Sequence, residues 1–242
     1  MPHFYVCPQN IVSGVFTISG PGAHYLIDVR RFSIGRPIML FDGLGASYEG
    51  IITEISKQKI VGKILSSSFK KNPFNVNIYV AIPKGQRLDW LIEKCAELGI
   101  NKLIPLICQR SQLNSLSAGK LERFNKISIS ASCQCGRNDI MQIDNPIDFF
   151  EAINAAAKQE NTKNILAGES QETLPIKNIL SQKDFNQINI FIGPEGGFTK
   201  DEIDFANAHK VLFISLGQNI LRIETAAIVA AALIMAQMEN II

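Results

Sequence analysis

Phe191–Glu202 reads "FIGPEGGFTKDE". The stretch places three glycines and a proline between an apolar run and a charged one. The run before it, Ile188–Ile192, has the composition of a buried strand. Gly193 opens a loop at the strand's carboxyl end, where α/β proteins bind ligands. Thr199 and Glu202 have the T-x-x-E spacing of a capping box, so a helix is predicted to start there. Gly196 and Gly197 leave the loop amides open to close approach. The loop matches neither G-x-G-x-x-G nor G-x-x-x-x-G-K-[ST], the two common phosphate cradles.

The same grammar returns in "ISLGQNILRIETAA" (Ile214–Ala227). A strand ends at Gly217, and a short loop leads into a helix. Arg222 and Glu224 stand at the helix start, placed either to pair with each other or to meet a ligand. Two glycine loops at neighbouring strand ends make one site.

The wider chain falls into two textures. Residues 1–72 alternate apolar and polar positions at short spacing. "RPIMLFDG" sets Ile38 and Leu40 on one face, and "YEGIITEIS" and "KIVGKILSSS" repeat the pattern, as in a small β-barrel. One helix is predicted in "GAHYLIDVRRF", with Leu26, Val29 and Phe32 as its apolar positions. "SSSFKKNP" (Ser66–Pro73) is polar, basic and stopped by proline, which makes it the expected boundary between domains of residues 1–72 and 73–242.

Beyond it, strand-like runs ("VNIYVAIP", "NKLIPLIC", "NILAG", "NINIFIG", "KVLFISLG") alternate with helical ones. In "GQRLDWLIEKCAELGI", Leu88, Leu91, Ile92, Cys95 and Leu98 keep helical spacing, and Gly99 sits where a C-cap belongs. "KLERFNKISISASCQC" reads as a further helix. The alternation predicts a parallel sheet covered on both faces.

The chain has 242 residues, 46% hydrophobic and 19% charged, which excludes a disordered protein. Net charge is +2 but unevenly spread: residues 1–72 carry +4 and the remainder −2. That asymmetry points to a polyanion partner for the first part. Five cysteines, an odd count, and no recognisable signal peptide lead to an expectation of a cytoplasmic protein without a disulfide framework. "CQC" (Cys133, Cys135) lacks the second pair that a zinc site needs, so no metal is expected. The longest apolar run, Ala226–Ala236, is far short of the ~20 residues that span a bilayer. Its alanines suit close helix packing, including packing on a second copy.

"GPEGGFTKDE" followed by "LGQNILRIETAA" strongly resembles the knotted SPOUT-superfamily methyltransferases. More narrowly, it resembles the bacterial 16S ribosomal RNA (uracil(1498)-N(3))-methyltransferases. "HYLIDVRRFSIGRPIMLFDG" resembles that family's PUA-like N-terminal signature, and "IPKGQRLDWLIEKCAELGI" the opening of its catalytic domain. "CQCGRN" (Cys133–Asn138) resembles its central E-Q-[SC]-x-R motif. The resemblance covers nearly the whole chain in order, with two departures. Cys133 stands where the family has glutamate, and Met141 where it has proline.

The resemblance implies a C-terminal SPOUT-type parallel-sheet domain with a trefoil knot, preceded by a small PUA-like β-barrel. It implies S-adenosyl-L-methionine as cofactor, held by Ile192, Gly193 and Gly196 in the first loop and by Leu216, Gly217, Ile220 and Leu221 in the second. It implies methylation of uridine N3 in 16S ribosomal RNA or the small subunit, and a homodimer formed through the knotted domain. Uracil N3 carries a proton, so the site needs a base, a water route or a cation that stabilises the anion. Arg222 is the candidate cation. Glu195 and Glu224 are the nearby carboxylates, each fitted equally to a structural role. Arg30, Arg31 and Arg36 form the basic cluster assigned to RNA backbone contact, with Lys84, Arg110 and Arg137 as further candidates and Arg87 beside them. The alternative reading is a non-catalytic RNA- or ribosome-binding protein that keeps the fold, favoured by Cys133. A nucleotide-binding enzyme with phosphate on the first loop lacks the Lys-Ser/Thr ending such loops use.

Overall fold

The computed structural model describes residues 3–70, 73–83, 85–112, 115–168, 173–181 and 185–239. It divides into two units: Met1–Lys71 with Ile129–Ile140, and Asn72–Ser128 with Met141–Ile242.

The first unit is built on a six-stranded sheet. Its strands are β1 (His3–Tyr5), β2 (Ile11–Val12), β3 (Val15–Ser19), β4 (Pro37–Phe41), β5 (Ala46–Ser56) and β6 (Lys59–Phe69), in the order β1-β4-β5-β6-β3-β2. Only the β1–β4 pair is parallel. Alternation places Ile38, Leu40, Ile52 and Ile60 inside, around Phe16 and Leu26. Strand β6 runs on through Ser66–Phe69, most of the segment that reads as a junction in sequence. Its polar residues pair with β5 there, and the hydroxyls of Ser47 and Ser68 lie 2.8 Å apart.

The Phe16 ring lies across the sheet, and two glycines make room for it. A Cβ on Gly62 would fall 2.2 Å from the ring and 2.4 Å from the Ile51 carbonyl oxygen, a backbone atom that cannot swing away. Gly62→Ala is expected to destabilise this unit by about 1–3 kcal/mol through overpacking. Thermal denaturation would read it, and an unchanged midpoint would contradict this packing.

The predicted helix forms as α1 (Pro21–His24) and widens over Tyr25–Val29. Leu26 and Phe32 are buried as expected, but Val29 is 61% exposed. The Arg30 N–H donates to the Tyr25 carbonyl, five residues back. This wider turn shifts the face that a regular helix would have buried.

The second unit is a wholly parallel sheet flanked by helices. Its elements run β7 (Asn75–Ala81), α2 (Arg87–Glu97), β8 (Lys102–Ile107), α3 (Ala118–Cys135), β9 (Gln142–Ile143), β10 (Ile147–Asp148) and α4 (Phe149–Ala157). They continue with β11 (Thr162–Ala167), α5 (Ile176–Leu180), β12 (Gln187–Ile192), α6 (Lys200–Ala208), β13 (Leu212–Ile214) and α7 (Ile223–Met238). Strand order is β10-β8-β7-β12-β11-β13, with β9 also on β8. The last seven residues of α3 count with the first unit.

The central strands are apolar on both faces, as a doubly covered parallel sheet requires. Tyr79, Leu106, Leu166, Phe191 and Phe213 face α4 and α6. Helices α2 and α7 pack on each other, and α7 also lies on β7 and β12. Register across β7, β12 and β11 is marked by aligned Asn77, Asn189 and Asn164. Asn189 is fully buried; its amide accepts from Asn77 (3.0 Å) and donates to Asn164 (2.9 Å) and Gln159 (2.8 Å). A slip of one residue would strand the buried Asn189 amide, so the ladder pins the sheet.

Candidate functional site

Three strand ends meet at one cleft in the second unit. Strand β12 ends at Ile192, and the chain turns through Gly193–Thr199. The Gly197 N–H donates to the Pro194 carbonyl (2.8 Å), and Gly197 has φ +68°, a conformation that favours glycine. Phe198 folds back so that its ring would lie 2.8–3.0 Å from any Cβ on Gly193. The ring is buried against Phe149, with centroids 5.2 Å apart. Gly193 is therefore glycine because an aromatic anchor occupies the space of its side chain.

The residues after β8 grip this loop. The Arg110 guanidinium Nη1 donates to the Gly196 carbonyl at 2.6 Å. Fully buried Glu202 accepts from the Gln109 N–H (2.8 Å) and from the Thr199 N–H (2.7 Å), while the Thr199 hydroxyl accepts from the Glu202 N–H. The expected capping box is present, and its carboxylate also ties the loop to β8.

The second loop follows β13. Gly217 has φ +125°, and its N–H donates to Ser215 Oγ at 3.3 Å. Ile220 is 94% exposed. The end of β11 supplies the third wall, where the Gly168 N–H donates to the Ile214 carbonyl (3.2 Å). The cleft, open on one side, measures about 630 Å³, within the range of small-molecule sites.

Ile192, Gly193, Gly196, Leu216, Gly217, Ile220 and Leu221 all line this cleft, with Glu195 and Arg110 beside them. Arg222 does not line it; it is exposed at the N-cap of α7, with no ion-pair partner among the described residues. Glu195 forms an ion pair with Arg87 Nη1 at 3.0 Å. Glu224 is buried and lies 3.8 Å from Arg87 Nε; its partner is Arg87 rather than Arg222.

The remaining candidates lie elsewhere. Arg30, Arg31 and Arg36 are exposed on the first unit, with Arg36 over the Phe32 ring at 4.3 Å. Arg137, also in the first unit, is largely buried and grips Asp139 with two hydrogen bonds, of 3.1 and 2.8 Å. Lys84 lies outside the described residues. Burial pushes the Cys95 thiol up to about 12 and raises Cys108 as well, so neither carries a thiolate near neutral pH. No cluster of metal-ligating side chains occurs among the described residues, and no helix there is long and apolar enough to cross a membrane.

Sequence reasoning missed the Gly168 wall, the hold of Arg110 on the loop and the bridging position of Arg87. Gly168 had a signal: "NILAG" has the same strand-then-glycine ending as "FIG" and "SLG".

A wholly parallel sheet with glycine loops at its carboxyl ends defines an α/β domain that holds its ligand largely by backbone. Residues 70–235 match the family profile described as the RNA methyltransferase domain, and residues 18–65 that of the RNA methyltransferase PUA domain. The chain belongs to this RNA methyltransferase family. It is 31% identical to ribosomal RNA small subunit methyltransferase E of Synechocystis sp., over 97% of this chain and 77% of the relative. It is 35% identical to the protein of that name from Rickettsia conorii, over 86% of this chain and 84% of the other. Among solved structures, ribosomal RNA small subunit methyltransferase E from Neisseria gonorrhoeae bound to S-adenosyl methionine superposes with a TM-score of 0.83. That match has 28% identity and covers 100% of this chain and 98% of the other.

Proposed function

We propose that this protein methylates N3 of a uridine in 16S ribosomal RNA, using S-adenosyl-L-methionine bound in the three-walled cleft. The observation that carries the reading is the convergence of Gly168, Gly193 and Gly217 at adjacent strand ends. It opens a cleft whose walls are backbone and whose flanks, Leu216, Ile220 and Leu221, are apolar. A nucleoside needs that combination: apolar faces for its ring, backbone donors and acceptors for its edge. The family match and the similarity to a relative solved with that cofactor support the same choice.

When bound, the cofactor supplies an activated methyl group whose carbon–sulfur bond breaks, with its electron pair going to sulfur, as the new nitrogen–carbon bond forms. The protein's part is to hold the base in line, exclude water and accommodate the N3 proton. Exposed Arg222 remains the candidate cation for the uracil anion.

In this reading residues 1–72 engage RNA through Arg30, Arg31 and Arg36, and residues 73–242 form the knotted catalytic domain. Arg110 and Arg137 use their guanidinium groups on intrachain partners, which favours a positioning role for each over phosphate contact. Helix α7 supports a homodimer: Ile228, Val229, Ala232 and Leu233 are apolar yet only half-buried within one copy. A cytoplasmic setting follows from the substrate.

The non-catalytic alternative rests on Cys133. That residue counts with the first unit and does not line the cleft, so its substitution leaves the cleft residues intact. The reading is tested by calorimetry with S-adenosyl-L-methionine against ATP, and by mass-spectrometric mapping of methyluridine after incubation with naked 16S RNA or small subunits. Binding of the former ligand alone, and one new methyluridine, are expected. RNA binding without methyl transfer would support the alternative.

A further inference from the structure

Beside the cofactor cleft lies a second, shallower pocket of about 560 Å³, lined by Gly85, Gln86, Arg87, Trp90 and Glu224. The two are neighbours. Glu195 lines the cleft and pairs with Arg87 of the pocket, and Ile223 and Ala226, on either side of Glu224 in the chain, line the cleft. Glu224 is only 6% exposed, and its Oε2 is buried with no hydrogen-bond partner among the described residues. A buried carboxylate oxygen without a donor is costly. The amino end of α7 offsets part of that cost, since helix N-termini favour negative charge. The acceptor left unused by the described residues is available to an N–H of a ligand.

The rest of the pocket narrows the donor. Trp90 is half-exposed and stands one helical turn from Arg87, so ring and guanidinium share a face of α2. The pocket thus offers a flat aromatic surface, a cation and a carboxylate acceptor together. An imide matches this set: a flat ring whose N–H is flanked by two carbonyl oxygens.

We propose that this pocket receives the target uracil, with Glu224 Oε2 accepting the N3 hydrogen, Arg87 donating to a flanking carbonyl and Trp90 stacking on the ring. The inference rests on the methyltransferase reading above and deepens it. Glu224 is then the catalytic residue that takes the N3 proton. The N–H bond breaks toward Oε2, its electron pair stays on N3 for the new bond to carbon, and the carboxyl later releases the proton to solvent. Glu224 also selects the base: cytosine N3 carries a lone pair and no hydrogen, and would face the carboxylate with like polarity.

Trp90 is the chain's only tryptophan, so its emission reports on this pocket directly. The test titrates the full-length protein with three small-subunit RNA fragments that differ only at the target position: uridine, cytidine or 3-methyluridine. Anisotropy of labelled RNA confirms binding of each. Uridine RNA is expected to quench Trp90 at about tenfold lower concentration than the other two, the size of one unsatisfied buried group. Glu224→Gln should remove that preference and methyl transfer together, while affinity for S-adenosyl-L-methionine stays within about threefold.

Equal quenching by uridine and cytidine, or bound RNA that leaves Trp90 silent, would overturn the proposal. So would a Glu224→Gln protein that keeps its preference, or one that loses cofactor binding along with it. Failure of wild type to methylate both the uridine RNA and small subunits would instead sink the methyltransferase reading, which the fluorescence arm does not depend on.

Discussion

Gly193→Val is expected to weaken S-adenosyl-L-methionine binding by about 100-fold or more and to lower the melting temperature. The space where a side chain would go is already filled: the Phe198 ring stands 2.8–3.0 Å from a Cβ at this position. Phe198 cannot yield easily because it is itself buried and packed on Phe149. Overpacking of this kind costs roughly 1–3 kcal/mol, and valine adds two methyl groups at the mouth of the cleft. Each 1.4 kcal/mol lost from binding is about tenfold in affinity. Gly196→Ala is the internal contrast. Its Cβ would meet only the exposed Arg110 side chain, at 3.3 Å from Cδ and 3.7 Å from Cβ, and affinity should fall less than about fivefold. Calorimetry on both proteins decides the matter. If Gly193→Val binds the cofactor as wild type does, the first loop is not a wall of the cofactor site.

Glu202→Ala is expected to destabilise the second unit by about 3 kcal/mol. The carboxylate is fully buried and accepts from the Gln109 and Thr199 backbone N–H groups, at 2.8 and 2.7 Å. Removing it takes the charged acceptor from two part-buried backbone donors, and hydrogen bonds to charged groups are worth roughly 1.5–3 kcal/mol each. For a protein of this size that corresponds to a melting temperature lower by about 6–12 °C. Thr199→Ala, which removes one side of the capping box, should cost only about 1 kcal/mol. Glu202→Ala should also weaken cofactor binding, because the carboxylate ties the first loop to the end of β8. A melting temperature within about 2 °C of wild type would show that the tie carries little energy.

Much of this architecture was open to sequence reading because it rests on local rules. Alternation in "RPIMLFDG" and "KIVGKILSSS" settled which side chains enter the first core, since period two leaves little choice once one face is buried. The Thr199–Glu202 box and the two glycine loops were likewise visible, as each is written within a few consecutive residues. The helix at Tyr25–Val29 was read less well: nothing in "YLIDV" announces a hydrogen bond five residues long rather than four, and Val29 turned outward as a result. The polar run Ser66–Phe69 read as a junction because a solvent-facing strand end and a linker share a composition.

By itself the sequence determined the two-part texture, the parallel sheet, the capping box and the glycine loops that place the site, because periodicity and turn chemistry act over a few residues. Only the tertiary structure decided what Arg87, Arg110, Arg137 and Glu224 do. Arg87 meets Glu195 across 108 positions, and Arg110 meets Gly196 across 86. Such contacts depend on the order and register of parallel strands, which the chain sets through ladders such as Asn77–Asn189–Asn164. The orphaned oxygen of Glu224 is of the same kind. Whether a carboxylate finds its donors is settled by the whole packed unit, and no local motif records it.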